Sequence, residues 1–161
     1  MKNLFSLLAI VIFIILGTGC SEDNTTGNDN TSTGNSVTAK KNGVAWKADI
    51  NVTAIKTTNN QITINASSGM INREVLILNI MNAASVGDHT MTKYGTGTSA
   101  TFSRVNPDEG YASIDANSGS LKITKLTDTR IEGTFNVTVK QGESGPGVIN
   151  FTEGKFGADL K

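Results

Sequence analysis

The sequence predicts an all-β domain, built as an antiparallel β-sandwich or a flattened β-barrel of about nine to ten strands with hairpin connections. Three observations predict it. β-branched residues (Thr, Ile, Val) outnumber the strong helix formers through most of the chain. Turns rich in Asn, Gly and Ser punctuate it at short intervals. Several segments alternate apolar and polar residues with a period of two. A single cysteine excludes an intrachain disulfide, so stability must come from burying apolar surface. Length suits one ordinary domain: the part from 37 to the end, 125 of the 161 residues, can close one core.

The strand signals follow in order. "SVTAK" meets "GVAWKADINV" across Asn42-Gly43, two residues that tolerate positive φ and so favour a hairpin turn. "INVTAIKT" and "QITINAS" flank Asn59-Asn60, a second hairpin. "REVLILNIM" follows Gly69. Its centre, "VLILNI" (75–80), is apolar on both faces, which predicts a strand covered on both sides within the domain, the other reading being a partner surface. "HTMTKY" and "SATFSRV" flank a Gly-Thr-Gly stretch, and "YASI" and "LKITKL" flank Asn117-Ser118-Gly119. In "RIEGTFNVTVK", Ile131, Gly133, Phe135, Val137 and Val139 share one face. In "GVINFTEGKFGADL" the phase slips at Gly154, which predicts a β-bulge. Every link is of hairpin length, so a meander is expected.

Before this domain the chain reads differently. Lys2 is followed by a thirteen-residue apolar run, "LFSLLAIVIFIIL" (4–16), the length of a signal-peptide core and short of a bilayer span. Gly17-Thr18-Gly19 and Cys20 come next. This resembles a bacterial lipoprotein signal, although Gly17 stands where such signals carry a large aliphatic residue and Leu16 sits one place early. The resemblance implies a signal peptide over 1–19, cleavage before Cys20 and diacylglycerol on its thiol, leaving Cys20 no redox or metal role. Residues 21–36, "SEDNTTGNDNTSTGNS", contain no apolar side chain. With Cys20 they form the expected polar linker, 20–36. As a coil it reaches about 20–25 Å on average and about 50 Å stretched. Ser21, Glu22 and Asp23 resemble the acidic export signal of surface lipoproteins in Bacteroidota, which implies an outer-membrane, surface-exposed location; the alternative is the periplasmic face.

Within the domain, "KKNGVAWKA", "LKITKLTDTRIEGTFNVTV" and the closing "INFTEGKF" together resemble a family of small Bacteroidota lipoproteins, flavobacterial ones especially, known only as a domain of unknown function. The likeness spans about residues 38–157. It implies a small all-β domain at the cell envelope and brings no catalytic residue with it.

The residues themselves mark no catalytic set. Net charge is zero and Lys and Arg are scattered, which argues against a nucleic-acid partner. One histidine, His89, and no second cysteine leave no metal site expected, and His89 beside Asp88 reads as a solvated hairpin residue. "GESGPG" (142–147) has Pro146 in the fifth place of a nucleophile elbow and reads as a loop. Asp108, Glu109, Asp115, Glu132 and Glu153 could supply paired acids, but no spacing marks a pair. Residues 106–119 offer oxygen ligands for calcium without the EF-hand pattern. The glycines punctuate hairpins and open no phosphate-binding helix. Trp46, Phe102, Phe135, Phe151 and Phe156 are expected in the core. No cofactor is called for.

The expected function is therefore that of a membrane-anchored envelope lipoprotein whose β domain is a non-catalytic binding or structural module. Its partner would be a protein, a glycan or a small ligand. The alternatives are a lipocalin-like carrier of a small apolar ligand, and a carboxylate-based hydrolase in which Glu132 and Glu153 are the acids to test.

Overall fold

The computed structural model describes residues 34–105, 108–142 and 145–161. The apolar run, Cys20, Ser21, Glu22 and Asp23 lie outside these residues. Eleven strands form: β1 (Ser36–Lys41), β2 (Val44–Lys47), β3 (Asn51–Lys56), β4 (Ile62–Ser68), β5 (Glu74–Ile80), β6 (Gly87–Met91), β7 (Ser99–Val105), β8 (Asp108–Ala112), β9 (Gly119–Leu126), β10 (Arg130–Lys140) and β11 (Val148–Asp159). The fold is all-β, as expected, with one or two strands more than the turn spacing suggested. The first begins at Ser36, one residue inside the expected linker.

The strands make one antiparallel sheet that curls into a half-barrel. Its order is β2-β1-β11-β10-β8-β7-β5-β4-β3, with β9 beside the first half of β10 and β6 beside β9. A parallel bridge from Ala54 to Leu160 ties β3 back to the end of β11. Backbone bonds Lys161 N–Ala54 O (3.1 Å) and Lys56 N–Lys161 O (3.2 Å) hold this junction.

Four hairpin groups match the local turn chemistry: β1-β2, β3-β4-β5, β7-β8 and β9-β10-β11. At the first, Asn42 (φ 48°) and Gly43 (φ 81°) both take the left-handed conformation that a two-residue turn demands. A full meander does not form. β6 and β7 flank the Gly-Thr-Gly loop but do not pair; β6 joins β9, and both edges of β7 are taken by β5 and β8. Nor does β8 pair with β9 across Asn117-Ser118-Gly119; it touches β10 at Ala112–Lys140. The turn residues let the chain bend at both places. Which edge each strand then meets is decided by burial: β6 carries Met91 into the core, where it is fully buried.

One core fills the curl. Trp46, Phe102, Phe135, Phe151 and Phe156 are all in it, as their strand phase predicts. Phe135 lies opposite Gly154, and Phe156 opposite Gly133. A Cβ on Gly154 would come within 2.5 Å of the Phe135 ring, so the ring needs that glycine. The predicted bulge sits just before it. Between Phe135 and Val137, β10 advances two residues while β11 advances three. The extra residue is absorbed at Glu153 (φ 53°), whose N–H donates to Asn136 Oδ1 at 2.9 Å. The second face of β5 differs from expectation. Leu76, Leu78 and Ile80 are buried, but Val75 and Ile77 are only half-buried, beside the small polar residues Ser67, Asn65, Ser103 and Thr101 of β4 and β7.

Candidate functional site

Two of the places where polar side chains gather lie at opposite ends of β4, β5 and β7. At the first, the core-facing row of residues changes from apolar to charged. Leu76 and Phe102 face each other across β5 and β7, and the next core-facing pair is Glu74 and Arg104. Glu74 accepts from Trp46 Nε1–H at 2.8 Å and from the Lys41 ammonium, and pairs with Arg104 Nε at 3.4 Å. Arg104 Nη1 also reaches Glu109 Oε2 at 3.4 Å, and the Tyr111 hydroxyl donates to the same oxygen at 2.8 Å. That hydrogen bond, with burial and the Glu109 charge, raises the Tyr111 pKa, while Arg104 opposes the rise. Beneath lie the aromatics. Phe151 packs on Trp46 and Phe102 with ring centroids 5.9 and 5.3 Å away, and Lys41 Nζ stands 5.5 Å from the centre of the Phe102 ring. Each carboxylate here is already held by cations and N–H or O–H donors. The group acts as a polar lid on the aromatic core.

At the other end is a pocket of about 240 Å³. Asn79 and Ser99 form its floor on neighbouring strands, with Gln61 and Met81 at the strand ends. Tyr94, Gly95 and Gly97, from the β6–β7 loop, form its wall. None of these side chains is charged. The loop is preset by bonds of its own: Thr92 N–Thr98 O at 2.7 Å, Thr96 Oγ1–Lys93 O at 2.7 Å and Tyr94 N–Ser113 O at 2.7 Å. A side chain on Gly97 would meet Thr92 Oγ1 at 2.7 Å, so the loop's fold requires glycine there. Asn79 Oδ1 accepts from Thr63 Oγ1 at 3.1 Å. Among the described residues, the Gln61 side-chain amide and the Tyr94 hydroxyl have no protein partner. Tyr94 is 56% exposed. A planar aromatic face beside amide donors and acceptors suits a ligand rich in hydroxyl or amide groups.

The acids singled out in the sequence are not brought together. Glu153 pairs with Lys40 (2.7 Å) and Asp115 with Lys140 (2.8 Å). Glu132 takes Arg130 Nε at 2.6 Å, a bond that lowers its pKa, and Arg130 also holds Asp159 at 2.9 Å. The Asp108 side chain, Asn106, Pro107, Glu143 and Ser144 lie outside what is described. His89 is half-buried on β6 opposite Leu121, where a solvated hairpin residue was expected. Among the described residues no group of three His, Cys, Asp or Glu side chains stands ready for a metal. No described helix is long and apolar enough to cross a membrane. Sequence reasoning missed both polar sites. Lys41, Trp46, Glu74 and Arg104 meet only through strand pairing, and Gln61, Asn79 and Tyr94 carry no motif.

The chain belongs to a family described as a domain of unknown function (DUF6252), whose model matches residues 33–158. No curated protein and no solved structure matches it. The matched stretch covers the residues over which the sequence resembles a lipoprotein domain of unknown function.

Proposed function

We propose that this DUF6252 chain is a cell-envelope lipoprotein anchored through Cys20, and that its β domain is a non-catalytic module binding an uncharged, hydroxyl-rich ligand, a glycan, in the Tyr94 pocket. One observation carries the ligand class: a preset, charge-free pocket with an exposed tyrosine beside the Gln61 and Asn79 side-chain amides. The apolar run, the small residues before Cys20 and the acidic Ser21-Glu22-Asp23 support the anchor and an outer-membrane, surface-facing location of the Bacteroidota type. The carrier reading has less behind it, because Phe102, Phe135 and Phe151 fill the curl of the sheet. The hydrolase reading has less too, since Glu132 and Glu153 each hold a cation, on separate ion pairs.

Saturation-transfer NMR against neutral methyl glycosides tests the ligand. Transfer to at least one sugar is expected, with a Kd in the millimolar range that a single small-sugar site gives, lost in Tyr94→Ala and weakened in Asn79→Ala. Binding that survives Tyr94→Ala, or no transfer to any sugar, refutes the pocket. Mass spectrometry of the mature chain, with Cys20→Ser as control, tests the anchor. Proteolysis of intact cells tests the surface location.

A further inference from the structure

We infer that the β4–β5 turn is a membrane-contact tip, and that Met70 and Ile71, with Ile50 and Val105 beside them, rest in the interface of the bilayer that holds the lipid on Cys20. The inference rests on the anchor reading above and adds to it a face and an orientation.

Met70 and Ile71 are 93% and 87% exposed, side by side at the point of a turn. Val105 (58%) and Ile50 (45%) extend the apolar surface. Backbone bonds bring the three segments together: Val105 N donates to Arg73 O at 2.9 Å, two residues after Ile71, and Ile50 N to Ser67 O at 3.1 Å, three residues before Met70. Isolated exposed apolar side chains are ordinary, but a cluster gathered from three separate segments is not. The turn is built to project them. Gly69 takes φ +75° and packs so closely that a Cβ would lie 2.9 Å from Asn72 O, and its N–H is held by Asp49 Oδ1 at 3.0 Å.

The occupant follows from where the chain enters the domain. Asn35 is pinned by its Nδ2–H to Val52 O at 3.2 Å and by accepting Asp159 N–H at 2.8 Å. Val52 lies opposite Ala66, four residues before Met70. At about 3.3 Å per residue, the entry point is roughly 13 Å from the tip along the strand. The fourteen residues from 20 to 33 hold a lipidated Cys20 within about 50 Å of it. A projecting apolar point suits a fluid surface, which needs no matching pocket, and exposed Arg73, whose guanidinium also donates to Ser67 Oγ at 3.4 Å, stands beside it for phosphate head groups. Seated this way, the domain turns the Tyr94 pocket outward, because that pocket opens at the far ends of β4, β5 and β7, about 20 Å up seven-residue strands.

The test uses the mature lipidated chain in phosphatidylethanolamine–phosphatidylglycerol vesicles. The thioether consumes Cys20, so Ile71→Cys supplies the single free thiol for an environment-sensitive fluorophore. Thr58→Cys, in the β3–β4 turn, is the control. Quenching by nitroxide-labelled acyl chains is expected to be at least threefold stronger at 71 than at 58, with a blue-shifted emission. A second label at Val105→Cys should fall between them, and Met70→Ser in the Ile71→Cys chain should lower the quenching at 71. Equal quenching at 71 and 58 in a chain whose mass shows the lipid overturns the tip alone. A mass without diacylglycerol overturns the anchor, and the inference with it. Capture of a protein crosslink at 71 in intact envelopes, without lipid quenching, overturns the inference in favour of a protein partner.

Discussion

The two ends of the β4–β5–β7 sheet share strands, pleat and core, yet they finish in opposite ways. At the Glu74 end the inward-facing row turns ionic, and every ionic group is bonded to another: Lys41, Arg104 and the Trp46 indole to Glu74, and Arg104 and Tyr111 to Glu109. At the Asn79 end the polar groups are neutral, and part of their hydrogen-bonding capacity is unused. Clustered charges often mark a functional site, but here they close the structure. Capacity for a ligand lies where donors and acceptors are left over, because a polar atom already satisfied gains little from a new partner.

The largest expected contrast between the ends is in stability. Phe102→Ala removes the ring that both Phe151 and Tyr111 pack against and on which Lys41 rests. It should cost about 3–5 kcal/mol. Tyr94→Ala, at the pocket, should cost less than about 0.5 kcal/mol, because an exposed side chain away from core features contributes little. Urea unfolding of both variants decides this. Equal losses would mean that the pocket end also supports the fold, and the division between the ends would fail.

Next in size is Glu74→Gln. The amide keeps the shape but takes the carboxylate from Lys41 and leaves Arg104 with Glu109 alone, at a cost of about 1–3 kcal/mol for hydrogen bonds to charged groups. Trp46 reports it directly: its fluorescence should change, since its N–H loses an anionic acceptor. Sugar binding in the far pocket should stay within about twofold of the parent, as expected for sites without shared partners. A larger loss of binding would show that the two ends are coupled.

Much of this fold is legible in sequence, because much of it is local. Asn42-Gly43 specifies its turn, the alternation through 131–139 specifies a half-buried strand, and the phase slip before Gly154 marks a bulge that the backbone realises at Glu153. Edge choice is not local. Nothing near residue 36 names residue 157 as its neighbour, and the loops at 95–97 and 117–119 carry turn chemistry whether or not the flanking strands pair. The polar sites inherit that limit. Glu74 meets Lys41 and Trp46 from 33 and 28 residues away, so its role appears only once β1, β2 and β5 are brought together. For Tyr94 a weaker signal existed: an aromatic residue directly before Gly-Thr-Gly, in a stretch with no apolar neighbour to bury it.

Away from both ends, Glu132 tests whether the ion pairs across β10 and β11 behave like those around Glu74. Its pKa is lowered, first by the hydrogen bond from Arg130, with Lys125 helping and burial opposing. A depressed carboxylate contributes stability above its unfolded value, near 4.3, and loses it as pH falls through the lower folded value. Arg130→Gln should therefore lower stability slightly at neutral pH and converge with the parent once Glu132 is protonated, so that the acid limb below about pH 4 is flatter. An acid limb identical in both proteins would remove Glu132 as its source.

The smallest effect lies at the alkaline limit and belongs to the charged end. Tyr111 has a raised pKa because its hydroxyl donates to Glu109, and deprotonation would set two anions against each other. A group whose folded pKa lies above its unfolded value contributes fully below the unfolded value, near 10, and loses that contribution as pH rises through the folded one. An absorbance titration at the tyrosinate band follows the group, with Tyr111→Phe identifying its phase. Glu109→Ala should bring the Tyr111 phase to lower pH, since it removes both the acceptor and the charge. If the phase stays where it was, Glu109 is not what holds the proton on Tyr111, and the contrast between the two ends reduces to packing alone.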